Sequence, residues 1–280
     1  MMITVEDPRL TFARRTLGSV SVTSMPGLPA HLLTLTDVRD VLYVVKRHGD
    51  AGRFQREARA YATWVPQLGD LAPQMLAADP ASCSLLLTLL PGRSAAELPL
   101  GSPAEQHAHH AAGATLRIFH QIAPAEFGDD IAARLAGRIR WWAERAHVAN
   151  LISAAERHTL LGRADDLAVV VVEGAICHLD YQPRNWLIGP DGMVRVLDFE
   201  HARLDARIRD FARLEHRQWR LSPHLRREFF DGYGQPPDEA EQDLLARFGV
   251  IEALTALVRG HERGDPGLIA HGRNLINQFF

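Results

Sequence analysis

From residue 19 to residue 45 apolar and polar positions alternate in short runs with turn residues between them. The runs at 19–23, 31–36 and 41–45 read as strands, the last rich in β-branched residues, and Met25-Pro26-Gly27-Leu28-Pro29 reads as a turn. Lys46 closes the third strand. Phe54, Ala58, Tyr61, Ala62 and Val65 then recur at helical spacing. An apolar run at 84–90 stops at Pro91-Gly92. The predicted order is strand, strand, strand, helix, strand and a hinge-like break.

Beyond residue 100 the spacing becomes helical. Ser102, with Pro103 after it and Glu105 three residues on, is placed to cap a helix running to about Ile122. Residues 131–147 and 153–167 read as helices, with Trp141 and Trp142 assigned to the core. Residues 169–172 read as a short apolar strand, and 206–233 and 238–280 as mostly helical. The pattern predicts an α+β chain with a small β-rich N-terminal lobe at 1–88, a hinge at 89–93 and a larger helical C-terminal lobe at 94–280.

Composition narrows the class. The chain has 280 residues, 46% hydrophobic and 23% charged, which is globular usage. No apolar run approaches the ~18 residues of a membrane span, and residues 1–15 carry Glu6 and Asp7 without the apolar stretch of a signal peptide. No membrane partner is expected. Two cysteines make no disulfide framework and suit a reducing cytoplasm. A net charge of −3 argues against a nucleic-acid partner. Among 31 basic residues the only lysine is Lys46. A chain that uses arginine everywhere else keeps a compact point charge here.

The chemistry concentrates at 176–200. Trp186-Leu187-Ile188, the turn Gly189-Pro190-Asp191-Gly192 and the apolar 193–197 form a hairpin signature. Asn185 precedes its first strand and Asp198 follows its second, so an amide oxygen and a carboxylate converge at its open end. Two hard oxygens of this kind, completed by substrate phosphates, suit Mg²⁺. Asp180, in the loop before them, is placed to accept a proton from a hydroxyl. His107, His109 and His110 resemble a ligand cluster, but helical spacing separates 109 from the other two, which favours a solvated helix face. Cys177 reads as a small core residue.

The run H-x-D-x-x-x-x-N at 178–185, followed by Asp198-Phe199-Glu200, resembles the catalytic loop and metal motif of the aminoglycoside phosphotransferase and choline kinase family. Lys46, Glu57, Leu90-Pro91-Gly92, Leu116 to His120 and Asp210 fall where that family has its phosphate-binding lysine, the lysine's partner, the hinge, a helix end and a loop-bracing aspartate. The resemblance implies a bilobal protein-kinase-like fold. It implies ATP or GTP with its base against the hinge at Thr88 and Leu90, Lys46 on the phosphates and oriented by Glu57, Mg²⁺ on Asn185 and Asp198, and Asp180 as catalytic base. His178 is expected to be structural. Leu179 departs from the family's usual glycine, and the phosphate loop at 24–29 has one glycine.

The acceptor implied is a small hydroxylated molecule, foremost an aminoglycoside or another cationic antibiotic, held by an acidic pocket. Asp205, Glu215, Glu252, Glu262 and the terminal carboxylate of Phe280 are the candidates. Glu57 has an alternative partner in Arg53, one helical turn away. Two other functions fit parts of the pattern: a metal-dependent phosphohydrolase using His178, Asp180, Asp198 and His201, and a kinase-fold nucleotide-binding protein without transfer activity.

Overall fold

A computed structural model describes residues 7–25, 27–122, 130–170, 172 and 174–278. Helix α1 (Pro8–Leu17) starts on an Asp7 cap and lies against an antiparallel sheet. The sheet runs β1 (Val20–Val22), β2 (Leu32–Asp37), β3 (Leu42–Arg47), β5 (Ser84–Thr88) and β4 (Met75–Asp79) in spatial order. Tyr43 and Val45 of β3 face the small core that α1 closes with Phe12 and Ala13. Alternation along the strand sends Val44 and Lys46 to the opposite face. There α2 (Ala51–Thr63), capped by Asp50, buries Phe54, Glu57, Ala60 and Tyr61.

The larger lobe is built on α3 (Pro103–His120), α4 (Ile131–Val148), α5 (Ala154–Ala168), α6 (Arg209–Leu214), α7 (Pro223–Tyr233), α8 (Glu239–Arg263) and α9 (Pro266–Ile276). The Ser102 hydroxyl accepts from the Glu105 amide, and Glu105 reaches back to the Gly101 amide. Against α3 lie two small sheets. One pairs β7 (Gly174–Cys177) with β10 (Arg203–Ala206), and the other orders β6 (Arg93–Ser94), β8 (Trp186–Ile188) and β9 (Val194–Val196). The segment leading into β6 is pinned to the β8–β9 hairpin. Gly92 has a φ of 149°, and a Cβ there would lie 2.5 Å from the Ile188 carbonyl oxygen, so no other residue fits without displacing the chain.

Four expectations change. Trp142 is buried, but Trp141 is half exposed and carries Arg145 over its ring. The strand expected at 169–172 does not form as such. Val169 ends α5, Val171 lies outside the described residues, and the strand begins at Gly174, where β10 offers a partner. His109 is buried against Trp186, and of the three histidines only His107 and His110 keep the solvated face. Gly264 and Asp265 divide the last helical stretch.

Helices α3 and α7 touch backbone to backbone. A Cβ on Gly113 would lie 2.0 Å from the Phe229 carbonyl oxygen, and one on Gly232 would lie 1.9 Å from that of His110. Gly232→Ala must push the helices apart, an overpacking cost of about 1–3 kcal/mol. Its Tm should fall by several degrees. Gly162→Ala, on an exposed turn of α5 with open space around it, should instead hold or raise Tm. Equal melting of the two variants would contradict this packing.

Candidate active site

Lys46 enters from the middle of the sheet. Its Nζ lies 2.8 Å from Glu57 Oε2 on α2 and 2.6 Å from Asp198 Oδ1 after β9. Burial would lower the ammonium's pKa, but the charges of Glu57 and Asp198 outweigh it and raise the pKa above its ordinary value. Burial likewise works against the Asp198 carboxylate, and Lys46 outweighs it there too, holding the pKa down. Glu57 also accepts from the Phe199 amide at 3.2 Å. Arg53 pairs with Glu200 at 3.3 Å, which settles which cation serves Glu57.

The loop between β7 and β8 is held from below. Asp210 accepts from the His178 amide at 2.7 Å, from the Leu179 amide, and from His120 Nε2 at 3.0 Å. The other His120 nitrogen meets the Tyr233 hydroxyl at 2.9 Å. This brace fixes Leu179 in the left-handed region, at a φ of 63°. A branched side chain is costly in that conformation, which explains the family's usual glycine. The His178 ring has no free nitrogen: Nε2 donates to the Leu197 carbonyl at 2.9 Å, and Nδ1 accepts from the Asp180 amide at 3.2 Å. That ring therefore offers a metal no lone pair, and the position is structural.

Asp180 ends up saturated. Gln182 Nε2 and Arg184 donate to its carboxylate at 2.7 Å each, Asn185 Nδ2 at 2.9 Å, and Arg213 forms a further ion pair. Asn185 spends its amide hydrogens on the Asp180 carboxylate and carbonyl, leaving Oδ1 without a hydrogen-bond donor among the described residues. That free oxygen and the ionised Asp198 are the hard donors that Mg²⁺ needs, and the residues fit the ion. Thr88 closes β5, where its hydroxyl accepts from the Gln74 amide at 2.9 Å. Leu90, two residues on, is half-buried.

An open cavity of about 850 Å³ begins at Leu179, Asp180 and Gln182 and runs between α4, α6 and α8. Of the expected acidic residues, Asp205 and Glu252 line it and Glu215 and Glu262 do not. Glu215 pairs with Arg226, Glu262 with Arg145 and Arg259, and Phe280 lies outside the described residues. The two acids that reach the cavity are already spent. Asp205 is paired with Arg203 and Arg209, and Glu252 with Arg217 at 2.5 Å. Burial raises the Glu252 pKa, yet His271, Arg217 and Arg213 bring it down to about 2. What the sequence reading missed is the wall itself, which is arginine. Its signal was present as arginines four residues apart at 134 and 138, at 209, 213 and 217, and at 259 and 263, a spacing that puts them on shared helix faces.

Burial holds both His109 and His178 below the ordinary imidazole pKa of 6.5. The unfolded chain therefore takes up these protons first as pH falls. Each then costs the fold about 1.4 kcal/mol per pH unit below 6.5 until the native pKa is reached. Stability should be full above pH 7 and decline through pH 6, with a Tm several degrees lower at pH 5.5 than at pH 7.5. A flat Tm across that window would contradict two buried neutral imidazoles.

The profile of the phosphotransferase enzyme family matches residues 32–245. No sequence among the curated proteins matches the chain. Solved structures are similar over nearly the whole length. The macrolide 2′-phosphotransferase MphH of Brachybacterium faecium aligns at TM-score 0.66 with 16% identity, over 96% of this chain and 97% of its own. Choline kinase LicA of Streptococcus pneumoniae aligns at 0.67 with 17% identity, over 96% and 98%. The streptomycin–ATP complex of the phosphotransferase APH(2″)-IIa aligns at 0.64 with 12% identity, over 99% and 97%. These likenesses establish the protein-kinase-like fold. With its sequence profile matched from the second strand to α8, the chain belongs to the phosphotransferase enzyme family.

Proposed function

We propose that this small-molecule kinase transfers the terminal phosphoryl group of ATP or GTP to a hydroxyl of a small acceptor. The observation that carries the reading is Lys46, bonded at once to Glu57 on the next helix and to Asp198, 152 residues away. The nucleotide lies between the lobes with its base against Thr88 and Leu90. Lys46, oriented by Glu57, holds its phosphates. Asn185 Oδ1 and Asp198 would hold Mg²⁺, which when bound supplies charge neutralisation at the phosphate oxygens.

Asp180 orients the acceptor hydroxyl and takes its proton as the new O–P bond forms and the bond to the departing nucleoside diphosphate breaks. To do so it must release one of its present donors. Arg184, with most of its side chain in solvent, is free to swing away. The committed ring of His178 counts against the phosphohydrolase reading, and that reading gives Lys46 and Glu57 no task. The intact set of Lys46, Asp180, Asn185 and Asp198 counts against a binding protein without transfer.

Asp180→Asn keeps the shape and removes the proton acceptor. Turnover should fall about 10²–10⁴-fold with nucleotide affinity little changed, measured by nucleotide consumption and calorimetry. Near-wild-type turnover would remove Asp180 from the mechanism.

Lys46→Arg replaces a compact charge with a planar fork that cannot share the space between two carboxylates and the phosphates. Its kcat/KM should drop at least ~10-fold, about 1.4 kcal/mol of transition-state stabilisation. Combining it with Glu57→Gln should cost less than the two losses together, because the residues act as one unit. Full activity in Lys46→Arg would show the lysine dispensable.

A further inference from the structure

The cavity beside Asp180 is lined by ten arginines and three carboxylates, in a chain whose net charge is −3. The lining therefore carries an excess of positive charge that the chain as a whole does not have. All three carboxylates are held by arginines of the same wall. Arg138 has no ion pair among the described residues, and its Nε is buried without a hydrogen-bond partner. Burial brings its pKa down to about 10, aided by the charges of Arg209 and Arg203. Three cations there face one carboxylate, Asp205, which Arg203 and Arg209 already share.

We propose that the acceptor is an anion: a small hydroxylated molecule whose carboxylate or phosphate group sits on Arg138, Arg203 and Arg209, with its hydroxyl at Asp180. This rests on the phosphotransferase reading above and specifies its substrate class. A guanidinium fork matches both oxyanions in bidentate geometry, and several forks converging on one space select for charge as well as shape. A polycationic acceptor meets the opposite field. Its ammonium groups would lie among arginines that outnumber the lining carboxylates ten to three, and every carboxylate within reach would first have to be taken from an arginine.

The same anion has a second effect. Arg213 and Arg184 close over Asp180. An oxyanion entering the cavity competes for these guanidinium groups and draws them off the carboxylate. The base is thereby uncovered when the molecule carrying the hydroxyl arrives. Water, which brings no anion, meets a base still occupied by its arginines.

The test uses the full chain with saturating MgADP, so that added anions cannot enter the nucleotide phosphate site. Citrate, glucose 6-phosphate and kanamycin are titrated separately by calorimetry. Citrate should report a carboxylate preference and glucose 6-phosphate a phosphate preference; at least one should bind, and kanamycin should not. Arg138→Gln should weaken the bound anion at least tenfold without lowering Tm, because the charge removed is repelled by its neighbours. Arg263→Gln, at the exposed end of α8, should weaken it in the same direction and carries no risk to folding. Kanamycin binding with neither anion bound, or anion affinity unchanged in both variants, overturns the proposal. Nucleotide turnover is scored separately. Anion binding without phosphoryl transfer to any hydroxylated acid or sugar phosphate sinks the phosphotransferase reading and leaves the anion site standing. Efficient phosphorylation of kanamycin does the reverse.

Discussion

One buried ammonium ties the molecule together at its centre. Lys46 belongs to the sheet, Glu57 to the helix packed on it, and Asp198 to the hairpin of the larger lobe, 152 residues from the lysine. Against the cost of burial, Lys46 keeps the Asp198 carboxylate ionised, and the charges of Glu57 and Asp198 keep the lysine protonated. The three positions are therefore set by one another. Glu57 extends the arrangement by accepting from the Phe199 amide, so the backbone that presents Asp198 is registered against α2 directly.

Much of this was legible in the sequence because the relevant signals are local. The β8–β9 hairpin announces itself by its turn, the cap of α3 by Ser102, and the third strand by its β-branched run ending at Lys46. The bracing aspartate could be located only by resemblance, since nothing near Asp210 shows that it reaches under the loop at 178–179. Elements whose existence depends on a distant partner were harder. The strand Arg203–Ala206 is fixed by pairing with β7, and α1 is held by the core under the sheet.

The acceptor cavity shows where such reading stops. Carboxylates hold cations, and two of the acidic residues the sequence offers do reach the cavity. Whether a carboxylate is available depends on its neighbours in space, and here those neighbours are arginines brought in by α4, α6 and α8. A chain with this much arginine hides a cluster in plain composition. Only the four-residue spacing distinguishes a wall from a scatter, and spacing alone does not say which helix faces meet.

The close crossing of α3 and α7 reaches further than packing. His120 is the last residue of α3 and Tyr233 the last of α7; Tyr233 holds His120, and His120 holds the aspartate beneath the loop at 178–179. The distance between the two helices is thus also the distance across which that brace is strung. A change in the crossing is felt as a change in tension on the loop. A side chain at Gly113 or Gly232 that parts the helices would therefore also draw His120 from Tyr233 and loosen the support of Asp210.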